Sequence, residues 1–132
     1  MERVYLDAAP VIYTVEQVPI YAAAIDARLS AHDVVRVAGD LTRLECRVKP
    51  LREGNADLLK DFDDYFEGAV VEIIALSREV IDRATEIRAQ YGFRTPDAIH
   101  LAAAVVSRCG VFLTNDHRLD RFSDMAIEVT EL

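Results

Sequence analysis

The strongest constraint on this chain is an alternation: short apolar runs of strand length recur between longer stretches whose apolar residues repeat with helical spacing. Strands are expected at Arg3–Asp7, Asp33–Val37, Val70–Leu76, Val111–Thr114 and Ala126–Val129. Strands joined through a helix lie parallel, because the connection has to cross one face of the sheet and return to the starting edge. The pattern therefore predicts a three-layer α/β/α sandwich around a central, mainly parallel five-stranded sheet, formed by one domain over residues 1–132.

The helical stretches carry their own signals. Pro10 suits the first turn of a helix through Tyr13, and Pro19 to about Ala31 reads as a second helix with Ile20, Ala23, Ala24, Ala27 and Leu29 as its apolar positions. Gly39-Asp40 marks a turn, and Asp40 is expected to cap a third helix. Leu41, Leu44, Glu45 and Val48 stand at i, i+3, i+4 and i+7 on it, and Pro50 is expected to end or bend it. Ala56 to Glu67 presents Leu58, Leu59, Phe62, Tyr65 and Phe66 on one face. Ser77 opens a helix through Tyr91 that Gly92 closes, and Thr95-Pro96-Asp97 starts one running Ala98 to Cys109.

A formal net charge of -8 argues against a general nucleic-acid coating protein, which carries a basic face. It leaves room for a metal-dependent phosphodiesterase, which needs an acidic centre and only a local basic rim. Cys46 and Cys109 lack metal-ligand spacing and read as buried free thiols. The N-terminus has no basic and apolar signal-peptide pattern, and the apolar runs are too short to span a bilayer, so a cytoplasmic location is expected.

Four acids stand where the fold alone has little need of them. Asp7 ends the first strand, Glu45 interrupts an apolar stripe, Asp97 opens an alanine-rich helix and Asp116 follows the fourth strand. Three of them have ordinary alternatives: Asp7 as a helix cap, Asp97 as a favourable charge on a helix N-terminus, and Asp116 as a turn residue. Glu45 on a buried stripe needs a base or a cation, since an unpaired buried carboxylate costs several kcal/mol. In parallel sheets ligands bind outside the carboxyl ends of the strands, where Asp7 and Asp116 both fall. Carboxylates gathered there repel one another unless a hard cation neutralises them.

The segments Val4-Tyr5-Leu6-Asp7-Ala8-Ala9, Leu41-Thr42-Arg43-Leu44-Glu45-Cys46-Arg47, Arg94-Thr95-Pro96-Asp97-Ala98-Ile99-His100 and Phe112-Leu113-Thr114-Asn115-Asp116-His117-Arg118 together resemble the PIN-domain ribonucleases, most closely the VapC-like toxins. That resemblance implies a metal-dependent endoribonuclease, the toxin of a type II toxin–antitoxin pair. It makes Asp7, Glu45, Asp97 and Asp116 a catalytic quartet holding one or two Mg2+ or Mn2+ ions. Asp7 and Asp116 would bind directly, with Asp97 a further ligand and Glu45 acting through water or orienting the attacking water. Thr114 would orient Asp116 or a bound water, and Asp120 would be an outer member, with a surface pair to Arg121 as the alternative. His100, three residues after Asp97 on the same helical side, reads as a partner behind the quartet or as a packing residue. Many relatives carry Ser or Thr after the first Asp, whereas Ala8 and Ala9 stand here. A homodimer and a small antitoxin protein are the partners the resemblance implies.

Arg43, Arg47, Lys49, Arg94 and Arg118 flank these segments and are the candidate RNA-phosphate contacts, with a solvated face or an antitoxin surface as the alternatives. No Ser or Cys arrangement makes a nucleophilic triad with His32, His100 or His117. Two other readings stand beside the ribonuclease: an inactive or regulatory interaction module of the same fold, and a divalent-metal phosphohydrolase acting on a non-RNA substrate. A receiver domain lacks its expected acid pair and late Lys, and a haloacid-type phosphatase lacks a second Asp where Ala9 stands.

Overall fold

Alternation along the first strand sorts the core into two halves. In β1 (Glu2–Leu6), Val4 and Leu6 enter one buried cluster while Tyr5 enters the other, the period of two that a strand imposes. The same division holds for β4 (Val111–Thr114), where Val111 and Leu113 lie opposite Phe112. A sheet apolar on both faces has to be covered on both, and helices do so here.

The computed structural model describes residues 1–31 and 33–130. After β1 come α1 (Ala8–Val15), α2 (Tyr21–Leu29), β2 (Val34–Gly39), α3 (Asp40–Arg52), α4 (Ala56–Gly68) and β3 (Glu72–Ile74). The chain continues through α5 (Arg78–Tyr91), α6 (Thr95–Val106), β4, a 3-10 turn (His117–Arg121) and β5 (Ala126–Val129). The strand order is β3-β2-β1-β4-β5 and every pairing is parallel. The expected three-layer α/β/α architecture is therefore present, with a sheet wholly rather than mainly parallel. Val11, Ile25, Leu29, Phe62 and Phe66 of α1, α2 and α4 fill one side, and Val80, Ala84, Ile87, Ala98 and Leu101 of α5 and α6 fill the other. Both cysteines are free and buried, as expected. Among the described residues no helix is long and apolar enough to cross a membrane.

Several local expectations need correction. β2 runs through Gly39 and passes directly into α3, so Gly39 rather than Asp40 is the cap position. Pro50 does not end α3: it lies in the last turn, where losing its N–H removes only one late hydrogen bond, and Glu53 N–H still reaches Lys49 O at 3.0 Å. β3 keeps only three of the seven residues expected, and α6 starts at Thr95 and ends at Val106, short of Cys109. In α2 the buried positions are Ile25 and Leu29, while Ile20 lies outside the helix, 69% exposed.

The largest correction concerns α3. Its buried face is Thr42, Cys46 and Pro50, whereas Leu44 and Val48 are 55% and 46% exposed. Polar bonds override the hydrophobic spacing: Thr42 donates to Leu6 O at 3.1 Å and accepts from Gly39 N–H at 3.1 Å, which fixes the rotation of the helix. Glu45 consequently sits at the edge of the covered face, with its side chain 35% exposed.

Candidate active site

The strand order reverses between β1 and β4, since β2 and β3 extend one way from β1 and β4 and β5 the other. Such a switch point leaves a crevice at the carboxyl ends of the two strands. Asp7 follows β1 and Asp116 lies two residues beyond β4, so both border it.

Thr114 ties the two together. Fully buried, it donates its hydroxyl to Asp7 Oδ2 at 2.7 Å and accepts the Asp116 N–H at 3.1 Å. Asp7 Oδ1 accepts from Ala8 N–H at 2.9 Å, capping α1.

Helix α6 brings Asp97 in its first turn and His100 one turn later. His100 is 2% exposed, and its Nε2 lies 2.6 Å from Glu45 Oε1 and 3.6 Å from Asp7 Oδ1. Donor atoms of Asp7, Glu45 and His100 all fall within 4.8 Å of one another. Asp97 and Asp116 lie outside that inner group, each beside an arginine. Arg94 Nε approaches Asp97 Oδ2 at 3.5 Å, while Arg118 grips Asp116 through Nε at 2.9 Å and Nη2 at 2.6 Å. The quartet is nonetheless linked electrostatically, for Asp97 acts on His100 and on Arg118, and Arg94 acts on Asp116.

Burial pushes the Asp7 carboxyl above the usual carboxylate range, against the pull of His100, Thr114 and the Ala8 N–H, with Glu45 adding to the rise. Burial alone would lower the His100 imidazole, but the bond to Glu45 and the charges of Asp7, Glu45 and Asp97 outweigh it and hold it above its ordinary value. The bond from Arg118 holds Asp116 low. A mostly covered carboxylate held above its usual range and facing a second carboxylate offers hard oxygen donors that fit a divalent cation, with the His100 imidazole bonded to Glu45 behind them.

The remaining candidates are placed less centrally. Arg47 and Arg43 lie 2.9 and 3.7 Å from Asp63, and Lys49 lies 3.1 Å from Glu16, so these three bases are engaged with an acid of α4 and with the acid that caps the end of α1. Asp120 lies 3.7 Å from His117 in the exposed 3-10 turn, outside the inner group. His32 lies outside the described residues. Tyr5, with Thr42 behind it, reaches His100 from the core, and strand and helix spacing alone marks neither. The signal for them was a phenol and a hydroxyl at positions that an aliphatic residue would otherwise fill.

The fold thus presents an acid-lined crevice at the switch point of a wholly parallel α/β sheet. The family model of the PIN domain matches residues 4–125, and the chain belongs to that family. No curated protein matches the chain in sequence. Among solved structures, the chain is similar to VapBC2 from Rickettsia felis bound to a promoter DNA fragment, with a TM-score of 0.78, 14% identity and coverage of 98% of this chain and 99% of that one. It is similar to a toxin–antitoxin complex from Klebsiella pneumoniae, with a TM-score of 0.77, 16% identity and coverage of 97% and 98%. It is also similar to the sarcin-ricin loop cleaving toxin VapC20 from Mycobacterium tuberculosis, with a TM-score of 0.68, 10% identity and coverage of 83% and 86%. At these identities the likeness is one of fold.

Proposed function

We propose that this protein is a Mg2+- or Mn2+-dependent endoribonuclease, the toxin of a toxin–antitoxin pair, with Asp7, Glu45, Asp97 and Asp116 as its catalytic acids. The observation that carries the reading is the mostly covered Asp7 carboxylate at the switch point of a PIN domain, within 4.8 Å of the Glu45 carboxylate and of His100, which is bonded to Glu45. Asp7, Glu45, Asp97 and Asp116 would hold one or two ions. A bound divalent ion supplies a water of lowered pKa and a counter-charge for the phosphoryl oxygens.

The chain's own groups do the rest. Thr114 fixes the Asp7 oxygens and the Asp116 backbone in one register. Glu45, partly open to solvent, orients the attacking water. Arg94 and Arg118 stand beside Asp97 and Asp116, from where they would reach the RNA phosphates. Arg43, Arg47 and Lys49 extend the phosphate track along α3, and Asp120 is an outer support. An antitoxin covering the crevice is supported by a toxin–antitoxin complex of similar fold, and a homodimer and a cytoplasmic setting complete the reading.

The test is cleavage of single-stranded RNA with Mg2+ or Mn2+, in the presence and absence of a chelator. Asp97→Asn is expected to lower the rate by about 100-fold or more, the scale of removing one preorganised charge at a reacting centre. Equal cleavage by wild type and variant, or cleavage undiminished by chelator, would sink the proposal.

A further inference from the structure

The Tyr5 ring is fully buried and stacked on Phe112, with ring centroids 5.2 Å apart, yet it carries a hydroxyl into the core. That hydroxyl lies 2.9 Å from His100 Nδ1 and 3.3 Å from Thr42 Oγ1. Thr42 has already committed its only proton to Leu6 O, so towards Tyr5 it is an acceptor. The shorter contact assigns the phenolic proton to His100 Nδ1, which leaves the imidazole hydrogen on Nε2, donating to Glu45 Oε1 at 2.6 Å. Were the imidazole doubly protonated, Tyr5 would turn its proton to Thr42 and Nε2–H would still donate to Glu45. In either state the chain Thr42, Tyr5, His100 runs through the core and ends on a carboxylate at the water's edge.

Gly39 provides an independent reason to read this chain as built for that end. Its φ of -102° is open to any residue, so backbone conformation does not require glycine there. A Cβ at Gly39 would instead lie 2.4 Å from the Tyr5 hydroxyl oxygen, while the next ring atom, Cζ, is at an ordinary 3.5 Å. The glycine makes room for the hydroxyl alone. Phenylalanine and alanine at the two positions would fit the same space but leave His100 Nδ1 without a partner, whereas the pair present holds the imidazole by both ring nitrogens.

We propose that Tyr5 and His100 are positioning residues that aim the Glu45 carboxylate, with Thr42 and Gly39 holding the Tyr5 hydroxyl in place. The rate readout rests on the ribonuclease reading; the metal-affinity readout does not. Removing a group that orients a metal-site residue typically costs about 10- to 100-fold in affinity or activity. Tyr5→Phe is therefore expected to lower kcat and Mn2+ affinity by about 10-fold with KM for RNA unchanged, and Tyr5→Phe with Gly39→Ala to behave like Tyr5→Phe and remain folded.

The deciding experiment is a double-mutant cycle with Glu45→Gln, reading RNA cleavage and, by Mn2+ electron paramagnetic resonance titration, metal affinity. If Tyr5 acts through Glu45, adding Tyr5→Phe to Glu45→Gln changes either quantity by less than about twofold. Additive losses would show Tyr5 to be a packing residue and overturn the proposal. Should the wild type bind Mn2+ without cutting RNA, the ribonuclease reading fails and the affinity cycle alone decides the positioning role. A wild type that neither binds Mn2+ nor cuts RNA would overturn both.

Discussion

Asp7→Asn is expected to abolish RNA cleavage, by about 1000-fold or more, while making the metal-free protein more stable. The two effects have one cause. The Asp7 side chain is only 16% exposed, and burial together with Glu45 holds its carboxyl above the usual range. A carboxyl whose folded-state pKa is raised binds its proton more tightly when folded, so stability is gained as pH falls through that pKa and is lower above it. At neutral pH the charge therefore costs stability that a neutral amide would not, set against the one hydrogen bond that the amide nitrogen cannot accept, and the Asn variant is expected to melt a few degrees above wild type in chelator. The gain should be present at pH 7 and should shrink as pH is lowered through the raised Asp7 pKa towards 3.8, where the wild-type carboxyl is itself neutral. Thermal melts at several pH values in chelator check this. An Asn variant that melts lower than wild type at neutral pH would contradict the electrostatic account of the site.

Thr114→Val is expected to damage both the fold and the reaction, although valine matches threonine in shape. The hydroxyl makes two bonds at a fully buried position, one to Asp7 Oδ2 and one from the Asp116 N–H. Without it a carboxylate oxygen loses its donor and a backbone N–H loses its acceptor, each costing about 1–3 kcal/mol. Thermal melting in chelator should fall by roughly 10 °C, given the few degrees that each kcal/mol moves a domain of this size. Cleavage at a temperature where the variant is folded should fall by about 10- to 100-fold, since this hydroxyl sets the register of two of the acids. Thr114→Ser, which keeps the hydroxyl, should recover most of the rate. A Val variant with wild-type melting and cleavage would show that Asp7 and Asp116 are held in place by something else.

The fold was legible because its signals are local. Strand runs such as Val111–Thr114 and Ala126–Val129 stand out between helical stretches, and Ser77 and Gly92 bracket α5 by capping chemistry that depends on nearest neighbours. The acids at strand ends were legible through the rule that parallel sheets bind ligands at their carboxyl edge. What escaped was long-range. Leu41, Leu44 and Val48 have good helical spacing, but α3 is turned by bonds from Thr42 to Gly39 and Leu6, and the Leu6 partner lies far off in sequence. Glu45 therefore meets His100 across an α3–α6 contact instead of lying on a buried stripe. The pairing of Arg47 with Asp63 and of Lys49 with Glu16 was hidden for the same reason, because each joins separate helices.

The central claim is that one acidic crevice directs a metal-activated water at an RNA phosphodiester. Its most direct test is the chemistry of the product ends after limited digestion of a single-stranded RNA. Attack by water leaves a simple phosphomonoester on one fragment and a free hydroxyl on the other, and these ends should form only when Mg2+ or Mn2+ is present. Fragments bearing 2′,3′-cyclic phosphates, formed equally in chelator, would mean that the RNA's own 2′-hydroxyl is the nucleophile and would contradict the account.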